Sequence, residues 1–298
     1  MDGRDSDRRD DGERLEMAKE LGKEIGMIDR VVAVYFSPTG TTRRSVSAIA
    51  AEMARILKVT VESYDFTLPS ARSTVLAFKR TDMVVLGTPV YAGRVPNVLL
   101  KYLATLQGNE AIGVPVVLFG NRDYDDALIE LRDIMERAGF HVTAAAAFIG
   151  EHSFSRVLAK GRPDGRDAEA LNAFAARVAE KYKESDDRKI TVKVKGTPYP
   201  YRGYYTPRDR KGNAVDIRKV MPVTNDRCID CKLCVEICPM GSISYDDVRE
   251  YTGICIKCGA CIKRCPMGAK YYEDAGYLYH KQELEEGLTE RREPELFL

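Results

Sequence analysis

The sequence predicts an α/β chain in two parts: a doubly wound, five-stranded parallel sheet and, behind it, a small α+β domain. Three observations carry this. Short apolar, β-rich runs alternate with amphipathic stretches from residue 31 to residue 183. All eight cysteines lie between positions 228 and 265. A stretch rich in proline, glycine and tyrosine at 187–222 separates the two regions.

Taken in order, residues 1–30 carry dense charge of both signs. Residues 1–10 read as a solvated arm, and 13–25 could form a helix with Leu15, Ala18, Leu21 and Ile25 on one side. Residues 31–36 form a continuous apolar run, as a strand buried on both faces requires. The next helix places Val46, Ile49, Ala50, Met53 and Leu57 on one face. Residues 59–64 and 83–86 read as the second and third strands, 98–106 as a helix and 114–120 as the fourth strand. A helix over 124–138, a fifth strand over 142–149 and a helix over 168–183 complete the alternation. That last helix aligns Leu171, Phe174, Ala175, Val178 and Tyr182. Ligands of such sheets bind at the carboxyl ends of the strands. The domain limits expected are therefore 1–30 for a charged extension, 31–186 for the sheet and 187–222 for a linker. The cysteine domain takes 223–276 and a tail 277–298. The tail has Glu283, Glu285 and Glu286 in a helix, then Pro294, and folds back through Leu296 and Phe297.

Composition excludes some classes. Lys plus Arg number 46 against 45 for Asp plus Glu, a net charge of +1. That balance argues against nucleic acid as a partner. No apolar run reaches the length of a membrane span, and the first residues lack the apolar stretch of a secretory signal. The expectation is a cytoplasmic protein.

The cysteines form two identical ladders, Cys228-x2-Cys231-x2-Cys234-x3-Cys238-Pro239 and Cys255-x2-Cys258-x2-Cys261-x3-Cys265-Pro266, offset by 27 residues. Zinc ribbons use paired C-x2-C knuckles, and secreted disulfide scaffolds spread cysteines through the fold. Two ladders ending in Cys-Pro point to two [4Fe–4S] clusters. Three close thiolates cap one side of a cube, and in this ladder type the fourth cysteine serves the other cluster. The expected ligand sets are Cys228, Cys231, Cys234 with Cys265, and Cys255, Cys258, Cys261 with Cys238. Residues 223–275 resemble a bacterial-type two-cluster ferredoxin domain.

A second site is legible at the strand ends. Ser37, Pro38, Thr39, Gly40, Thr41 and Thr42 lie between the first strand and its helix. Small hydroxyls and one glycine there make an anion cradle, assisted by the helix dipole; the competing reading is a helix cap on Thr39 or Thr41. The loop is neither G-x-G-x-x-G nor a Walker loop, which disfavours NAD and ATP. The third strand ends in Gly87, Thr88, Pro89, Val90, Tyr91, Ala92, Gly93 and Arg94. The fourth ends in Gly120, Asn121, Arg122, Asp123 and Tyr124.

Together, 31–186 resembles flavodoxin. The resemblance implies FMN, with Ser37, Thr39, Gly40, Thr41 and Thr42 on its phosphate. It implies isoalloxazine contacts from Thr88, Pro89, Val90, Tyr91, Ala92, Gly93 and Arg94. Tyr91 is the candidate stacking partner, and Gly93 would permit backbone movement near flavin N5. Asn121, Arg122, Asp123 and Tyr124 would flank the ring edge. The tryptophan that many flavodoxins stack on the flavin has no counterpart, because the chain has no Trp.

The domain order resembles flavodoxin–ferredoxin fusions found mainly in anaerobic microbes. Residues 151–155, the turn Arg162, Pro163, Asp164 and the ending 292–297 share that likeness. His152 could approach a flavin or simply be a loop histidine satisfied by a neighbour. Clusters exchange single electrons, and flavin exchanges one or two. The first functional expectation is thus an electron-transfer iron–sulfur flavoprotein with redox partner proteins. The alternatives are an FMN-dependent reductase of a small organic or corrinoid acceptor, and a redox sensor or docking module of a larger oxidoreductase.

Overall fold

The computed structural model describes residues 28–184, 191–209 and 211–298. The helix expected at 13–25 lies outside the described residues.

Strands β1 (Arg30–Tyr35), β2 (Thr60–Asp65), β3 (Asp82–Pro89), β4 (Ile112–Phe119), β5 (His141–Val142) and β6 (Ala145–Ile149) form one parallel sheet. Its order is β2-β1-β3-β4-β6, with β5 beside the start of β4. This is the flavodoxin-like doubly wound order, whose switch point lies between β1 and β3. Alternate residues of each strand reach opposite faces. Val31, Ala33 and Tyr35 pack with α1 (Thr41–Leu57) and α4 (Gly165–Glu184) through Val46, Ile49, Met53, Leu171 and Phe174. Val32, Val34 and Phe36 pack with α2 (Asn97–Leu103) and α3 (Ala127–Arg137) through Leu99, Leu103, Leu128 and Leu131.

The structure departs from the periodicity in three places. The fifth strand is broken at 143–144, because Thr143 turns its carbonyl to Lys181 Nζ of α4, 2.9 Å away. Helix α2 stops at 103, where Thr105 Oγ1 bonds back to the Tyr102 carbonyl. A further strand, β9 (Glu295–Phe297), pairs antiparallel with β6 and covers that edge. It is where the chain's last segment folds back. The opposite edge strand, β2, is largely exposed and carries Glu62 and Asp65.

The cysteine region has minimal regular structure: β7 (Val223–Thr224) paired with β8 (Lys270–Tyr271), α5 (Leu233–Glu236) and α6 (Ala260–Lys263). Helix α7 (Ala275–Gly287) then leads back to the sheet. Among the described residues no helix is long and apolar enough to cross a membrane.

Candidate functional site

The crevice at the switch point begins with the loop from β1 into α1. Ser37 closes it twice, donating its N–H to Thr67 Oγ1 (2.8 Å) and accepting the Arg43 N–H on its Oγ (2.9 Å). Gly40 caps α1 at φ +87°, which glycine tolerates, and a Cβ there would meet open space. Thr39 and Thr41 join hydroxyls at 3.0 Å. Thr42 is buried against Gly87 of β3, where any Cβ would strike Val46 and Thr42. No acidic residue and no side-chain cap occupies the first turn of α1, so its positive end faces the crevice without a countercharge of its own.

At the end of β3, the Thr88 hydroxyl is buried without a hydrogen-bond partner. Residues Tyr91 and Arg94 exchange backbone bonds in a tight reversal, with Ala92 and Gly93 at positive φ. Burial first, then the Cys258 and Cys255 thiols, pushes the Tyr91 phenol well above the usual tyrosine range. Tyr91 thus lies beside the cysteine region.

Four of the residues expected at the flavin ring also bond within the chain. The Gly93 carbonyl accepts the Asp126 N–H at 3.0 Å, and a Cβ on Gly93 would overlap Asp125. Arg94 pairs with buried Glu130 at 2.6 Å and is sandwiched between the Tyr201 and Tyr204 rings of the linker. Asn121 donates to the carbonyls of Leu288 and Glu290 and accepts the Arg292 N–H. Tyr124 is fully buried with its hydroxyl on Glu295. Arg94 serves the linker, and Asn121 and Tyr124 serve the tail. Arg122 pairs with Asp125 and stacks over Tyr205, while Asp123 holds the Asp125 N–H at 2.9 Å.

The linker is strapped down rather than loose. Asp126, buried at the start of α3, accepts the Thr197 and Arg202 N–H groups and the Arg202 guanidinium. Burial alone would raise its carboxyl, but these bonds hold it at about 2.

The cysteines surround two cavities. One is lined by Cys228, Cys231, Cys234 and Cys265, the other by Cys238, Cys255, Cys258 and Cys261. The chain therefore brings together three thiols of each ladder with the last thiol of the other. Among the described residues no three His, Cys, Asp or Glu side chains converge on a position for a single metal ion. The thiols ring a volume instead. At the second cavity, burial pushes the Cys258 thiol far up and Cys261 to about 12. Burial there disfavours free thiolates. At the first, burial works against Cys265, but backbone N–H groups at 267–270 bring it below the usual thiol range.

These cavities sit differently. The second, inner cavity abuts the strand ends: Arg72 donates to the Pro239 carbonyl at 2.6 Å, and Ile256 packs on the sheet core. A Cβ on Gly259, at φ +74°, would lie 2.5 Å from the Ser153 carbonyl. Lys263 Nζ pairs with Glu151 and bonds the His152 carbonyl, both at 2.6 Å. The first, outer cavity is bordered by exposed residues, Ile229 (62% exposed), Cys231 and Met267 (41%).

His152 lies at this junction, its ring filling the space a side chain on Gly120 would need. Its Nδ1 accepts the Phe154 N–H at 3.1 Å, and burial depresses its basicity to about 3. It is a neutral histidine satisfied by its own loop. Ser155 adds a bond to Glu285 of α7. The 162–164 turn and the tail clasp each other: Arg291 pairs with Asp164 at 2.6 Å, and Arg162 bonds the Arg292 carbonyl at 2.7 Å. Arg72, Lys263 and Lys270 carry no motif, so sequence reasoning misses them; their contacts with Pro239, Glu151 and Val248 join residues far apart in the chain.

Residues 227–270 match the family model of the 4Fe-4S dicluster domain. This chain joins a flavodoxin-like domain to a 4Fe-4S dicluster domain. The sheet half is similar to a flavodoxin from the domain Archaea, at 17% identity and a TM-score of 0.38 over 52% of this chain and 99% of that one. A Streptococcus pneumonia TIGR4 flavodoxin gives 23% and 0.34 over 51% and 98%. Rubredoxin oxygen:oxidoreductase from Desulfovibrio gigas gives 20% and 0.37 over 55% and 38%. The fold assignment rests on strand order and register rather than on these distant likenesses. No curated protein matches the chain.

Proposed function

We propose that this chain is an electron-transfer iron–sulfur flavoprotein that couples two [4Fe–4S] clusters to FMN. In this reading 31–186 is the FMN domain, 187–222 a structured linker, 223–276 the cluster domain and 277–298 the tail. Cys228, Cys231, Cys234 and Cys265 hold the outer cluster, and Cys255, Cys258, Cys261 and Cys238 the inner one. One observation supports the fit: each set rings one cavity. FMN phosphate fits the loop of Ser37, Thr39, Gly40, Thr41 and Thr42 at the positive end of α1. The open space at Gly40 and the unpartnered Thr88 hydroxyl support that fit.

The observation that carries the reading is the seating of the inner cysteine ring against the strand ends, where Arg72 bonds the Pro239 carbonyl, Ile256 packs on the same core as Tyr91, and Gly259 meets Ser153. Bound there, the clusters exchange single electrons and FMN one or two, so the set converts between the two modes. The protein's part is distance and insulation. Gly259 lets the inner ring approach Ser153, and Arg72 and Lys263 fasten the two domains. Exchange with a redox partner protein takes place at the outer ring, the exposed one.

Anaerobic purification followed by iron, sulfide and flavin analysis tests this. The expected content is about eight iron and eight sulfide per chain, from two four-iron clusters, with one FMN. Iron for a single cluster, FAD in place of FMN, or no flavin in an iron-loaded preparation would overturn the corresponding part. Serine substitutions with low-temperature EPR test the ligand sets. Positions 238 and 255 should perturb one signal, and 228 and 265 the other.

A further inference from the structure

The two ladders are close copies, and one difference between them is buried. The fifth residue after the last cysteine is Ile243 in the first ladder and Lys270 in the second. Ile243 lines the inner cavity, and Lys270 lines the outer one. An apolar side chain suits such a core. An ammonium does not, yet Lys270 is only 3% exposed.

Its partners are neutral. Lys270 Nζ donates to the Val248 carbonyl and lies 3.4 Å from the Tyr251 hydroxyl. Among the described residues no carboxylate pairs with it. Val248 lines the outer cavity and Tyr251 the inner one, so the ammonium stands between the two. A buried cation without an anionic partner is strongly unfavourable, and persists where a countercharge is present. Thiolate-ligated clusters supply that countercharge, and each gains one more negative charge on reduction.

We propose that Lys270 is the shared internal counter-cation of the two clusters, favouring the reduced state of both. This rests on the two-cluster reading above. The placement follows from physics: at low local dielectric a fixed positive charge stabilises an added electron far more than a surface charge does. One lysine between two centres biases both in the same direction.

The test uses the full-length, cluster-loaded protein, with iron analysis and potentiometric EPR of each cluster. Lys270→Met keeps volume and removes the charge; Lys270→Gln also keeps a hydrogen-bond donor. Both should lower the reduction equilibrium constant of each cluster at least tenfold, about 59 mV for a one-electron step. Lys270→Arg, which keeps the charge, should stay within threefold of the parent. Loss of iron from both neutral variants with full loading of the arginine variant also supports the assignment, since charge is what the two cations share. Fully loaded neutral variants with unmoved potentials, a shift confined to one cluster, or iron loss from all three variants would overturn it. A parent protein without two clusters would instead overturn the reading beneath it.

Discussion

Strand β4 buries all eight of its residues and β3 seven of eight, whereas α5 and α6 have four residues each and β7 and β8 two each. The sheet half is packed on both faces by helices whose apolar stripes match the strands. The cysteine half buries few large apolar side chains and turns its thiols toward two cavities. Elements this short do not hold their own shape in water. The contrast teaches that one chain can combine a region held by burial with one held by ligation.

Removing the metal should break this comparison most visibly. Chelation of the iron is expected to abolish amide-exchange protection across 228–270 while 30–149 keeps its own. Hydrogen-exchange mass spectrometry reads both at once, and joint loss would show that the sheet depends on the clusters too. Next in size is Phe174→Ala, which empties a fully buried site facing Phe148. It should cost the sheet half about 3–5 kcal/mol, seen as a lowered unfolding midpoint with cluster absorbance unchanged before the transition.

Gly259→Ala sharpens the comparison at the seam, because it adds a side chain at positive φ against the Ser153 carbonyl. Strain and overpacking there should cost about 3 kcal/mol, read as faster proteolysis between the halves while each keeps its spectrum. The smallest effect concerns acid and the linker. Asp126 titrates at about 2 in the folded chain against an ordinary 3.8. A depressed carboxyl contributes stability that is full above pH about 4 and is lost as pH falls toward 2. The contribution is about 2 kcal/mol. The stability gap between the parent and Asp126→Asn should therefore narrow from pH 5 to pH 2, measured by urea unfolding. A gap independent of pH would detach the linker from this carboxylate.

Much of the site's position is readable from the sequence, because the signals are local. The apolar run at 31–36, the loop of Ser37 to Thr42 and the Cys-Pro ladders depend on neighbours a few residues apart. The roles of Arg94, Asn121 and Tyr124 are not readable that way. Nothing near Arg94 in sequence indicates Tyr201 and Tyr204, and nothing near Asn121 indicates residues 288–292.

The sequence by itself determined the strand–helix alternation, the crevice at the ends of β1 and β3, and the eight thiols in two ladders. Tertiary structure alone decided that β9 closes the sheet, that one cysteine ring meets the crevice while the other faces solvent, and that Lys270 stands between them. The physical reason is range. Periodicity and spacing fix which face of a segment is apolar or which thiols share a loop. Which polar group meets which across more than a hundred residues depends on how the packed faces orient the loops between them.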